Sequence, residues 1–312
     1  MSRQRRSQAV NKPTMPPPAS GVTVRMYKQI FGDCFLLAFR TTDPHQAYYM
    51  LIDCGVLDST QEPERITEIA KNIAEATGGH IHLLVITHEH WDHVSGFERA
   101  FDVFKEMTIH NLWLAWTEDP GDDLAQELRT KFEKTVAALH LAVDHASKFA
   151  AAGQASSTRA VEHVTNLFAF FGGPVNLAAA GIEDRLSVAR RSKTRKAIEQ
   201  ICAVAASRGA EPEYCCPGEG PLPLPTARNA PEVPDVAVYV LGPPHREADL
   251  RRINPTVRGK EVYTTASTAL TLEVAFAMAL QDQVVGDRQN LSIAERELQE
   301  QSFPFEERLR IS

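Results

Sequence analysis

A chain of 312 residues, 43 % hydrophobic and 23 % charged, is long enough to bury a sizeable core in one large domain or two. Its formal charge of -7 argues against bulk electrostatic binding to nucleic acid, and no apolar run reaches the length of a membrane span. Five cysteines, odd in number and irregularly spaced, point to reduced thiols in a cytoplasmic protein, and no apolar stretch follows Arg3, Arg5 and Arg6 as in a secretory signal.

Residues 1–20 are polar, basic and Pro-rich, and read as a disordered tail, with order beginning near Val22. Val22–Ile30 and Cys34–Arg40 are predicted strands joined at a Gly32-Asp33 turn, and Tyr48–Asp53 is a third. A helix is predicted over 62–78, with Pro63 in its first turn and Gly78-Gly79 ending it. Leu83–Ile86 is a short apolar run that reads as a buried strand.

Four potential metal ligands follow that strand within six residues: His88, His90, Asp92 and His93. On extended backbone His88, His90 and Asp92 share one side. The His-x-His pair suits one borderline-soft ion, and the carboxylate with the third imidazole suits another. Such an ion lowers the pKa of bound water and yields hydroxide near neutral pH. A lone histidine is ordinarily a satisfied polar residue. Four such groups crowded at a strand mouth cost stability unless something coordinates them.

Beyond the cluster a helix is predicted from about Ser95 to Phe104, then a strand over Thr108–Trp116 in which His110 reads as structural. Residues 121–210 read as a helical insertion, with His140, His145 and His163 as surface or packing residues. Its run Arg190, Arg191, Lys193, Arg195, Lys196 lacks interleaved aromatics, so it reads as a solvated helix face and supports nucleic acid only weakly. Residues 211–235 read as an irregular linker, and the adjacent Cys215-Cys216 do not by themselves make a zinc site. Val236–Leu241 is a predicted strand ending in Gly242-Pro243-Pro244-His245, and Thr265–Val284 and Ser292–Gln301 are predicted helices. The domain scheme is therefore a tail (1–20), a metal-binding part (21–120), the insertion (121–210), a linker (211–235) and a continuation (236–312).

The motif T-H-E-H-W-D-H-V-S-G resembles the signature of the metallo-β-lactamase fold superfamily of metal-dependent hydrolases. The resemblance implies an α+β fold, an αββα sandwich present as its first half plus the large helical insertion. It implies zinc, two ions in a complete site, with Mn2+ or Fe as substitutes. It also implies that Asp53, in Asp53-Cys54-Gly55, orients a ligand of the metal loop, and that Asp92 acts in catalysis. His245 stands where many members carry a further metal-ligating His. In the branch resembling the hydrolase domain of the ComEC-type DNA-uptake protein this turn has no ligand, and Gly32-Asp33 and Leu241-Gly242-Pro243 look more like that branch. No strand of a second half is recognisable after Leu241, and Gly286-Asp287 follows a helical pattern, which leaves one sheet face open. The implied function is a hydrolase using metal-bound hydroxide on an ester or phosphodiester, with a small-molecule or phosphodiester substrate and no membrane. The alternative is a metal-stabilised binding or regulatory module whose incomplete site awaits a protein partner that completes the fold.

Overall fold

The computed structural model describes residues 15–28, 31–57, 64–132, 193–226 and 230–250. The chain divides into two units; the first comprises Met1–Ala125, Phe168–Gly173 and Arg191–Leu241, and the second the remainder. All of the sheet and the motif loop belong to the first unit.

Three strands open it: β1 (Val22–Met26), β2 (Phe35–Arg40) and β3 (Ala47–Ile52), an antiparallel meander in which Met26 opposes Phe35 and Phe35 opposes Ile52. Helix α1 (Arg65–Thr77) turns Ile66, Ile69, Ala70, Ile73 and Ala76 inward, and ends on Gly78 at φ 64°. That left-handed cap costs a glycine nothing and lets Gly79 N–H reach Ala74 O. The short β4 (His80–Ile81) leads to β5 (Leu83–Ile86), followed by α2 (Trp91–Arg99), α3 (Phe101–Phe104), β6 (Thr108–Ile109) and β7 (Leu112–Ala115). Helix α4 (Lys193–Ser207) and β8 (Pro212–Cys215) return the chain to the sheet. A separate ribbon pairs β9 (Leu222–Pro223) with β10 (Ala237–Val238), and α5 (Glu247–Leu250) falls in the second unit.

The main sheet has the order β1-β2-β3-β5-β7-β8, and β3, β5, β7 and β8 run parallel. Parallel strands of this kind are covered on both sides, which is why β5 and β7 are continuously apolar. Period-two alternation sorts the side chains. Leu36, Ala38, Tyr49, Leu51, Leu84, Ile86, Leu112 and Leu114 enter one core with the apolar faces of α1, α2 and α4. Phe39, Tyr48, Met50, Leu83 and Trp113 enter a second core on the opposite face, beneath Leu224 and Ala230. Among the described residues no helix is long and apolar enough to cross a membrane.

Several expectations need correction. The tail is ordered from Met15, which is buried, donates its N–H to Ala76 O and accepts from the Tyr49 hydroxyl; a flexible thioether fills a gap that polar flanks concealed. The strand predicted over Thr108–Trp116 is two strands, because β6 pairs with β4 and β7 with β5, and the chain changes partner at His110-Asn111. Within 211–235 lies β8, a parallel edge strand. Proline is tolerated at its first position, Tyr214 reaches the first core, and Glu213 accepts from the Trp113 indole. Only Ala237–Val238 of the predicted Val236–Leu241 strand is extended in a ladder, outside the main sheet. Val236 and Val238 face the second core, whereas Tyr239 and Leu241 are exposed. The described end of the insertion, α4, is packed into the first unit through Ala197, Ile198, Ile201 and Ala205. The open sheet face is covered over its centre by Leu222, Leu224, Ala230, Val233, Val236 and Val238. His140, His145, His163, Gly286-Asp287, most of the insertion and the predicted helices beyond 250 lie outside the described residues.

Candidate metal centre

The motif loop begins where β5 ends, beside the end of β3. Thr87–His90 is irregular, His90 is extended at φ -63° and ψ 147°, and α2 starts at Trp91. The expected same-side alternation therefore stops at His90. Asp92 stands in the first helical turn instead, where a carboxylate meets the positive end of the helix.

Asp53 braces this loop. It is 2 % exposed and sits at φ 54°, a left-handed conformation that few residues other than glycine adopt and that Asp accepts better than most. Its Oδ1 accepts Thr87 N–H at 2.8 Å. Its Oδ2 accepts the Thr87 hydroxyl at 2.6 Å and His93 Nδ1 at 2.9 Å. Thr87 has one hydroxyl proton, and the carboxylate takes it. The Thr87 oxygen then accepts from His88 Nδ1 at 3.0 Å. This hydrogen-bond network assigns both His88 and His93 the Nδ1–H tautomer and leaves each Nε2 with its lone pair. His88 Nε2 lies 3.1 Å from His90 Nδ1, and His93 Nε2 lies 3.6 Å from Asp92 Oδ2.

Three close approaches hold the loop in place. A Cβ on Gly55 would lie 2.4 Å from the Asp92 carbonyl carbon and 2.4 Å from His93 N, and one on Gly32 would lie 2.3 Å from Gly55 O. Cys54 N–H donates to His93 O, Gly96 N–H to Cys54 O, and Asp33 N–H to Asp92 O. Ser95 Oγ both accepts from Val56 N–H and donates to Val56 O. The hairpin turn, the end of β3 and the start of α2 thus form one backbone-to-backbone mount. Asp33 Oδ2 lies 3.8 Å from His93 Nδ1, so three carboxylates surround that ring.

The electrostatics follow. Burial, then the neighbouring rings of His93 and His90, pulls His88 down to about 4; burial also lowers His90. Burial alone would lower His93, but the hydrogen bond and charge of Asp53 outweigh it and raise the ring. Neutral imidazoles are the ligand form.

Among the described residues no three His, Cys, Asp or Glu side chains are grouped so as to hold an ion; the His88 ring lies against both His90 and His93, with centroids 4.6 Å and 3.9 Å away. The donor chemistry nevertheless suits a borderline divalent ion. Asp92 Oδ1 is buried without a hydrogen-bond partner, and beside it stand imidazoles whose Nε2 atoms the network leaves unprotonated. His245 is exposed and belongs to the second unit. Thr87 and Ser95 carry no site role in the sequence reading although both lie inside the motif, and Asp33 is read there only as part of the Gly32-Asp33 turn.

A mixed sheet whose parallel strand opens into a His-x-His-x-Asp-His loop, flanked by helices on one face, defines a partial metallo-β-lactamase-like α+β fold. Residues 29–129, from the hairpin turn to beyond β7, match the family model of the metallo-beta-lactamase superfamily. No curated protein and no solved structure matches the chain.

Proposed function

We propose that this protein is a zinc-dependent hydrolase acting on an ester or phosphodiester. The observation that carries the reading is the Asp53 network, in which one buried carboxylate sets the tautomers of two motif histidines. In this reading His88 and His90 hold one ion and Asp92 and His93 a second, with Mn2+ or Fe as substitutes. An ion there supplies Lewis acidity and brings the pKa of bound water towards neutrality. The chain's own contributions are separable. Asp53 and Thr87 keep the imidazoles aligned, and the half-buried Asp92 carboxylate orients the attacking water and accepts its proton. The resemblance of Gly32-Asp33 and Leu241-Gly242-Pro243 to the ComEC-type branch tilts the substrate class weakly towards phosphodiesters.

The test is elemental analysis of the purified protein beside a His88→Ala/His90→Ala variant, with hydrolysis of bis(4-nitrophenyl) phosphate and 4-nitrophenyl acetate. A loss of about two ions per chain in the variant, together with loss of turnover, supports the reading. Equal metal content in a folded variant sinks it.

A second reading, a metal-stabilised binding or regulatory module active only with a protein partner or not at all, is favoured by the lack of a three-donor group among the described residues. Asp92→Ala separates the two: retained fold with lost turnover belongs to the hydrolase, whereas the module has no turnover to lose. Nucleic acid is the weaker partner, because Lys196 pairs with Glu98 and Arg195 with Glu118 and Glu199.

A further inference from the structure

A second group of imidazoles sits at the other end of β5. Strands β4 and β6 pair in parallel, with His80 opposite Thr108 and Ile81 opposite Ile109. The residues that follow each strand, His82 and His110, therefore come together beside His80. Ring centroids are 5.5 Å apart for His80 and His110, and 5.0 Å for His82 and His110. The four residues of β5 separate this group from the motif loop, about 13 Å at the usual strand rise.

We propose that His80 and His110 form a second cation site, a bis-imidazole pair for a borderline divalent transition ion such as Zn2+, Ni2+ or Cu2+. His80 Nδ1 and His110 Nε2 lie 3.2 Å apart. Two nitrogens bound to one tetrahedral ion at about 2.0–2.1 Å stand about 3.3 Å from each other, so the observed span matches the bite of a single ion. His80 is exposed and His110 half-buried, which leaves room for water to complete the coordination.

His82 serves as the floor of the site and not as a third ligand. Its Nδ1 accepts Tyr49 N–H at 2.9 Å, so its proton is on Nε2 and it offers no lone pair to an ion. That accounts for a site with two protein donors in a chain whose described residues hold no three-donor group. The His82 ring stacks on His110 at 14° and on Tyr48 and Tyr49 at 29° and 28°, fixing the plane against which His110 rests. Burial, then His110 and His80, holds His82 down to about 3, so no positive charge stands beneath an incoming ion. Partial desolvation by its neighbours, then the His110 ring, likewise lowers His80 and favours its unprotonated, ligating form.

The same 3.2 Å also spans one shared proton, and metal titration distinguishes the two. The full chain, His80→Ala, His110→Ala and His88→Ala/His90→Ala are titrated with Zn2+ against a chromophoric chelator at about pH 7.5, and Cu2+ spectra are recorded by electron paramagnetic resonance. The expected result is a site weakened roughly tenfold or more in both single variants and retained in the double motif variant, with two-nitrogen coupling in the copper spectrum. Zinc isotherms of His80→Ala and His110→Ala identical to the parent would overturn the proposal. Should either alanine variant lose its far-UV signal, His80→Gln at the exposed position decides. Because the motif variant is read separately, failure here leaves the hydrolase reading untouched, and failure there leaves this one.

Discussion

The Asp53→Asn substitution reverses a relay whose direction depends on a carboxylate that can only accept. The introduced amide keeps one carbonyl for Thr87 N–H, but places an NH2 where Oδ2 receives the Thr87 hydroxyl and His93 Nδ1. Thr87 must then accept from the amide and send its proton to His88, and His93 must accept through Nδ1. Both imidazoles exchange tautomers, and their Nε2 atoms become protonated. All three charge-assisted bonds to the carboxylate, that from Thr87 N–H included, become neutral ones, each weaker by about 1 kcal/mol, so the expected loss of stability is about 3 kcal/mol in urea unfolding. Metal affinity should fall about 10–100-fold, as when a group that orients a ligating imidazole is removed. Imidazole 15N shifts should show the exchange in the metal-free protein. Unchanged tautomers with parental zinc affinity would refute the relay. A loss of stability alone would reduce Asp53 to a turn residue.

Gly55→Ala should cost about 3 kcal/mol or more and abolish metal retention, because its Cβ meets the backbone of Asp92 and His93 and no flexible side chain can yield; thermal unfolding and elemental analysis check this. Leu224→Ala should cost about 2–4 kcal/mol if segments 222–226 and 230–238 cover the second core; denaturation unchanged within about 0.5 kcal/mol would contradict that packing. His82 is neutral in the fold and lowered to about 3, so the unfolded chain binds its proton first as pH falls below about 6.5. Its contribution is complete above that pH and declines through the window down to about 3, roughly 2 kcal/mol by about pH 5. Urea midpoints at about pH 7 and about pH 5 should show this slope in the parent and a flatter one in His82→Gln.

Patterns confined to one strand or one turn were readable. Leu83–Ile86, the strand before Asp53, the α1 stop at Gly78 and the four-ligand cluster all announce themselves through apolar runs, glycine or ligand spacing. Asp92 was mis-set because His-x-His-x-Asp reads as extended, while a helix starting at Trp91 leaves no mark but the acidic first turn. Met15, β8 and the segments 222–226 and 230–238 were missed for a shared reason. Each is short, polar or proline-rich by itself, and each is ordered by partners far off in sequence: Ala76, β7 and the buried ring of Tyr48. The His80–His110 pair was equally hidden, since the two residues meet only through the parallel pairing of β4 with β6.

The pairing of β7 with β8 also sets a clock. Glu213, which accepts from the Trp113 indole, is 100 residues further along the chain. A ribosome adding about 5–20 residues per second takes about 5–20 s to supply it. Throughout that interval the edge of Leu112–Ala115 that faces away from β5 has no strand beside it, and such an edge can recruit another chain. Yield on expression should therefore respond more to slower synthesis across this interval, or to chaperones that mask an unpaired strand, than to any change in the motif loop.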